Sequence, residues 1–321
     1  MTTPPLRLGI LLWSQASGYP AMREAAQRVD RLGYEHLWTW DHVYAIYGDP
    51  YQPILEGWSL LNAWAEATER VRVGLLVGAN TFRNPALVAK LATTLDHVSG
   101  GRAILGLGGA WFELEHAAHG IDFGSGDGER LDRLDEAVGI IRAVLDGSEV
   151  THDGRAYRTD HLVGIPRPIQ PRLPIVIGGG GEKKTLRTVA KYADFCNVFG
   201  GPDTLRHKDA VLRMHCADVG RDQSEIERSI ACKLVIRDTE AEARQAWAEQ
   251  MAHNRTPESD WDGPDTLWLG TPAQVAATIR ARMDAGFGTV IVEMPAPYDV
   301  ETMERLIGEV KPMVEEEMRV G

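Results

Sequence analysis

The sequence predicts an α/β fold of the (β/α)8 TIM-barrel type, with insertions in its βα loops. Two observations carry that prediction. Short β-rich apolar runs alternate with longer helical periodicities almost from end to end of the 321 residues. The runs are continuously apolar, as strands of a parallel sheet covered on both faces must be. An open doubly wound sheet gives the same local pattern, but about eight such units in one chain of this size fit a closed barrel better. No composition break reads as a linker, so one domain is expected over residues 1–321.

The elements follow in order. Leu6 to Leu12 is the first strand, and a helix from about Ala21 to Leu32 ends at Gly33, which can take a left-handed C′ position. His36 to Trp40 forms the second strand, closed by Asp41 and His42. A helix over Leu55 to Thr68 leads into the third strand, Val71 to Val77. Asn84-Pro85 opens the next helix, with proline where a missing N–H costs nothing. That helix reaches Val98, and Gly100-Gly101 turn the chain into strand four, Ala103 to Gly108. Arg130 to Leu145 is amphipathic, and Asp146 to Pro174 reads as an irregular excursion rich in Pro and Gly. Strand five is Ile175 to Ile177, strand six Phe195 to Phe199, strand seven Ser229 to Ile236 and strand eight Thr289 to Glu293. Helices are expected over Lys183 to Tyr192, Asp203 to Val219, Glu240 to His253, Pro272 to Ala285 and Val300 to Met318.

Composition narrows the function. A formal net charge of -12 argues against nucleic acid or an anionic membrane surface as partner. Three widely spaced cysteines, Cys196, Cys216 and Cys232, form neither a disulfide framework nor a zinc ribbon and suit buried thiols in a reducing compartment. No signal-peptide pattern opens the chain, and no apolar run approaches the roughly 20 residues that span a bilayer. A cytoplasmic protein acting on a small molecule is expected.

In a barrel, functional groups gather where strands end and βα loops begin. Asp41-His42 sits at one such end, offering a carboxylate and an imidazole that exchanges protons near neutral pH. A loop cap beside a surface imidazole fits the pair equally well. Gly78-Ala79-Asn80-Thr81 lets a planar ligand approach the backbone, with Asn80 or Thr81 as donors; a polar loop capped by Asn84 is the other reading. Gly106-Leu107-Gly108-Gly109-Ala110-Trp111 resembles a dinucleotide fingerprint, but Trp111 stands where its third glycine belongs. It reads instead as a strand end kept small for a flat ring. Gly178-Gly179-Gly180-Gly181, after a strand and before a helix, forms a phosphate cradle, although Lys183 rules out a Walker loop. Gly200-Gly201 after strand six gives a weaker signal of the same kind. His116 and His119 have metal-bridging spacing but no third ligand, so they read as a solvated helix face and no metal is expected. Serine-hydrolase and zincin signatures are missing.

These residues resemble the bacterial luciferase-like superfamily, and most closely its branch that uses the deazaflavin coenzyme F420. The likeness runs through Trp40-Asp41-His42, Thr81 to Pro85, Thr94 to Arg102, Leu105 to Glu113, Ile177 to Leu186, Ala190 to Asp194 and Thr271 to Val275. The resemblance implies a ring at the C-terminal mouth, backed by a bulge near Leu76-Val77-Gly78 that contains a non-prolyl cis peptide. It implies that Leu76 to Ala79, Asp41, Gly108, Gly109 and the Gly178 to Gly181 loop hold the cofactor, and that His42 carries a proton. The chain departs from sugar-phosphate dehydrogenases of that branch, placing Trp111 where they have a carboxylate, and Gln15 where some relatives have Glu. Trp13, Gln15, Trp40 and Trp111 are therefore expected to wall the substrate pocket. The expected activity is hydride transfer between F420 and a small organic substrate. The alternatives are an FMN-dependent monooxygenase, in which reduced flavin activates oxygen, and a cofactor-storage barrel. Many barrels of this kind pair their helical faces, which leaves a homodimer as an open expectation.

Overall fold

A computed structural model describes residues 4–320, with side chains to residue 316; the ends of the 1–321 span lie outside the described residues. Eight parallel strands close on themselves: β1 (Arg7–Leu12), β2 (His36–Thr39), β3 (Arg72–Leu75), β4 (Ala103–Gly108), β5 (Ile175–Gly178), β6 (Phe195–Val198), β7 (Glu227–Ile236) and β8 (Thr289–Met294). Each pairs with the next, and β8 returns to β1 in the register Arg7↔Thr289 through Leu12↔Met294. The expected barrel is the observed one.

Side-chain alternation along each strand builds two cores. Leu8, Ile10 and Leu12 of β1, with Val73, Leu105, Ile175, Val198, Leu234 and Val292, face outward against the helices. Leu11, Trp38, Ile104, Val176, Phe195, Ala231 and Ile291 fill the barrel itself. The same alternation, carried toward the strand ends, places Gly108, Gly178, Asn197, Lys233 and Glu293 along the cavity at the mouth. The interior is therefore packed below and becomes bare or polar above. That change of character makes the site.

The helices agree with the periodicity within a few residues. α1 (Tyr19–Leu32) ends at Gly33 with φ 85, and Asn84 caps α3 (Pro85–Val98) by accepting from Ala86 N at 2.9 Å; α2 (Gly57–Ala67) lies between them. Three elements differ from expectation. The stretch after α5 (Asp127–Leu145) holds an antiparallel hairpin, Val150–Asp153 with Arg158–Leu162. Both its faces are largely open to water, so no hydrophobic alternation marks it. Glu136 pins it by accepting the N–H of Tyr157 at 2.8 Å. A short strand, Leu267–Gly270, pairs with the end of β7. A two-turn helix, α4 (Glu113–His119), follows β4.

α4 also corrects the reading of its histidines. His119 is exposed, but His116 is fully buried between Thr81 Oγ1 (2.7 Å from Nε2) and the Phe112 carbonyl (2.8 Å from Nδ1). Its ring ties the β3 loop to α4. Among the described residues no His, Cys, Asp and Glu cluster could hold a metal, all three cysteines are free and buried, and no helix is long and apolar enough to cross a membrane.

Candidate active site

The mouth of the barrel opens into a cavity of about 680 Å³. Its back wall is the end of β3, where the chain breaks from the sheet at Leu76-Val77 and returns as a short pairing of Gly78–Ala79 with Leu107 and Gly108. The Leu76–Val77 peptide is cis. Val77 lodges between β4 and β5: a Cβ on Gly108 would lie 2.7 Å from Val77 Cγ2, and one on Gly178 would lie 2.9 Å from it. This corrects the reason given for the small residues of β4. Gly108 and Gly178 are bare first because Val77 occupies the space their side chains would take, and only then because the wall is flat.

Asp41, at the end of β2, holds that wall in place. Its Oδ2 accepts the Ala79 N–H at 2.9 Å, and both its oxygens accept from Arg83 Nη1 at 2.9 and 2.7 Å. Arg83 reaches on to Glu56 Oε1 at 2.9 Å, at the start of α2. Burial pushes the Asp41 carboxyl up to about 6, and the Arg83 charge and the Ala79 N–H pull it back only in part.

His42 borders the same cavity and is oriented by a residue that sequence reasoning missed. Its Nδ1 lies 2.8 Å from Oε1 of Glu115, whose side chain is 1% exposed. The other oxygen of Glu115 accepts the N–H of Val43 at 2.9 Å and of Tyr44 at 3.4 Å. A carboxylate so placed fixes the Nδ1–H tautomer and leaves Nε2 for a ligand. Trp111 meets the His42 ring edge-on at 5.5 Å and Phe112 does so at 6.1 Å. Glu115 lies on the unpredicted α4, three residues beyond Phe112, and only a helical spacing there could have pointed to it.

The glycine loop lies across β5. Gly179, at φ 122, gives its N–H to Asn197 O at 2.9 Å, while Gly180 and Gly181 donate theirs to no protein group among the described residues. Gly178, Gly179, Gly181 and Thr185 line the cavity; Gly180 faces Lys208 instead, 3.5 Å from where its Cβ would stand. Arg130, read from sequence only as a helical residue, lines the same end. Its guanidinium sits 3.8 Å above the Phe123 ring and pairs with Asp127, and its buried Nε has no partner. A free amide in a cavity lining that also carries an arginine suits an anion.

Opposite the bulge stand Lys233 of β7, Glu293 of β8, Asp262 and Tyr47. Lys233 Nζ is 2.8 Å from Asp262 Oδ2 and 3.5 Å from Glu293 Oε2. Burial opposes the Lys233 charge, but Glu293, Tyr47 and Asp262 outweigh it and hold the ammonium above its ordinary range. Burial likewise pushes the Tyr47 hydroxyl up to about 12.

Of the four residues expected to wall the substrate pocket, Trp40 and Trp111 line the cavity and Trp13 and Gln15 do not. Trp13 is fully buried beneath it, stacked on Tyr47 at 4.3 Å and packed against Trp40 at 4.9 Å. Gln15 accepts the N–H groups of Ile46 and Tyr47 at 3.0 and 3.2 Å and donates to Tyr47 O at 3.1 Å. Both act on the cavity from behind its lining, through Trp40, Ile46 and Tyr47. Asn80 and Thr81, read as ligand donors, are occupied by Tyr157 and His116.

A family model described as luciferase-like monooxygenase matches residues 7–289. The chain belongs to this family. An uncharacterized protein of Mycobacterium tuberculosis is 32% identical to this luciferase-like chain over 146 residues, which are 46% of the chain and 50% of that protein, so the match spans about half of the relative's length. An F420-dependent glucose-6-phosphate dehydrogenase of Kineococcus radiotolerans is 28% identical, with 97% of each chain covered. In three dimensions the barrel is similar to the F420-dependent tetrahydromethanopterin reductase of Methanopyrus kandleri, with a TM-score of 0.80, 19% identity, and 97% and 100% of the two chains covered. That identity speaks for the fold alone. The luciferase-like family is one of enzymes, and F420-dependent oxidoreductases are among this member's relatives.

Proposed function

We propose that this luciferase-like barrel is an F420-dependent oxidoreductase that passes a hydride between the deazaflavin and a small organic substrate. The observation that carries the reading is the His42–Glu115 pair, set beside a flat wall of bulge and glycines at the mouth of the barrel. The relative of Kineococcus radiotolerans, matched along nearly its whole length, supports the choice of F420.

The donor set fits a ring with an anionic tail. Leu76 to Ala79 offer a flat apolar face, while the Gly181 amide, in the cavity lining with Arg130, is a donor in want of an acceptor. The deazaflavin, when bound, supplies the hydride chemistry. The protein does the rest. Asp41 fixes the bulge through Ala79 and Arg83, and the Trp40, Trp111 and Ile46 side chains give the pocket an apolar lining. His42 takes or gives a proton at Nε2, and Glu115 stabilises the imidazolium through Nδ1–H.

The second reading is an FMN-dependent monooxygenase, favoured by the family's own description. Titration of the purified protein with F420 and with FMN, followed by ring absorbance and fluorescence, separates the two. Saturable F420 binding and turnover of the bound ring by a substrate are expected. Tight FMN binding with no response to F420 would overturn the proposal.

A further inference from the structure

We propose that the wall formed by Lys233, Asp262, Glu293 and Tyr47 is the substrate-recognition subsite, and that it selects a hydroxyl-bearing substrate while excluding phosphate esters. This inference rests on the barrel mouth being an active site, but not on which ring it holds.

Position comes first. In the closed order of strands, β7 and β8 lie four places around from β3 and β4. A planar group lying against the β3 bulge therefore has Lys233 and Glu293 on the far side of the cavity, where a substrate must fit. Both side chains are inward and buried, Lys233 at 4% and Glu293 at 6% exposure, and paired residues of neighbouring strands in the register Lys233↔Glu293. Groups this deep are rarely charged unless they are matched.

The matching is incomplete in one direction. Lys233 has two carboxylates and an aromatic ring around it: Asp262 lies at 2.8 Å, Glu293 at 3.5 Å, and the Tyr47 ring centroid at 5.2 Å. Glu293 has one cation. Among the described residues its carboxylate accepts no hydrogen bond, and its one ion-pair contact is the 3.5 Å approach of Lys233. One cation against two carboxylates leaves this wall with a net charge of −1. A buried carboxylate lining a cavity with an unused oxygen wants a donor, which an alcohol O–H supplies without adding charge. A phosphate or carboxylate supplies no donor in its ionised form and meets like charge in a low-dielectric cavity. The one lysine does not reverse this, because two carboxylates already share its charge.

The wall thus differs in chemistry from the glycine end, where a donor lacks an acceptor. One cavity has an anion-seeking end and a donor-seeking wall, and a substrate phosphate would compete for the first rather than sit at the second.

The experiment is a binding titration of the full chain, with bound cofactor where one binds, using cyclohexanol, cyclohexyl methyl ether and cyclohexyl phosphate. Binding is read by ligand-observed NMR and by the fluorescence of the cavity tryptophans, so turnover is not required. Cyclohexanol is expected to bind about tenfold more tightly than the ether, which lacks the donor, and than the phosphate ester. Glu293→Gln and the more exposed Asp262→Asn should each strengthen cyclohexyl phosphate binding by about tenfold, and circular dichroism checks that both are folded. The proposal is overturned if wild-type protein binds the phosphate ester as tightly as the alcohol, or if neither variant changes their ratio. A protein that ignores F420 but shows this alcohol preference would remove the proposed reaction and leave the subsite standing.

Discussion

A single carboxylate decides what His42 can do. With Glu115 on Nδ1, the imidazole presents Nε2 to the cavity in one tautomer and gains a stabilising anion when it is protonated. His42→Ala should leave cofactor affinity nearly unchanged and lower kcat by roughly 10²- to 10⁴-fold, the usual worth of a positioned acid–base group. Full turnover in that variant would remove the proton role. Glu115→Gln keeps the volume and removes the charge. Its expected effect is a loss of about 10- to 100-fold in kcat with cofactor affinity nearly unchanged. Trp13 and Gln15 show the opposite case: chosen for the substrate pocket, they lie beneath it and shape it through Trp40, Ile46 and Tyr47.

At the scale of elements, the lock between the bulge and its neighbours is the feature most open to attack. Val77 fills the space above Gly108 and Gly178, so Gly178→Ala should displace the bulge and destabilise the fold by about 1–3 kcal/mol, as overpacking does. Adding Val77→Ala should recover much of that loss, and denaturant unfolding of the two single variants and the pair measures the coupling. Additive losses would mean that Val77 is not the obstacle. This contact also explains what could be read from the sequence. The strand and helix order was legible because parallel strands buried on both faces are continuously apolar and their helices are amphipathic. The glycine runs were legible as glycines, but their cause was not, since it lies in a residue about 30 positions away from Gly108 and across the sheet. The Val150–Asp153 hairpin left no trace because neither face is buried. Glu115, Arg130 and Lys233 were invisible for a shared reason: each is a charged residue in an element that looks ordinary alone, and only barrel closure turns it toward the cavity. Asp41 and His42 were found because a strand end marks them locally.

For the whole molecule, the burial of Asp41 predicts how stability depends on pH. This carboxylate joins β2 to the β3 bulge and, through Arg83, to α2, so its protonation is tied to the packing of three elements. Its folded-state pKa of about 6 lies above the ordinary 3.8. The folded protein therefore holds the proton more tightly than the unfolded chain, and the stability this group gives is largest below the ordinary value. It falls as pH rises from about 4 to about 6 and is level beyond. At 1.36 kcal/mol per unit the change is about 3 kcal/mol. Asp30 runs the other way: burial raises its pKa, but the N–H groups of Glu69, Val71 and Arg70 outweigh that and lower it, so its contribution is lost as pH falls below the ordinary value. The raw stability curve mixes the two. Asp41→Asn isolates one, because the amide is neutral throughout and the loss of the Arg83 partner is the same at every pH. Urea unfolding of both proteins at pH 4 and pH 7 should show the wild type losing about 3 kcal/mol relative to the variant on going to pH 7. A difference that stays constant between the two pH values would mean that Arg83 fully neutralises the burial of Asp41, and that the carboxylate stays ionised throughout the range in which the enzyme works.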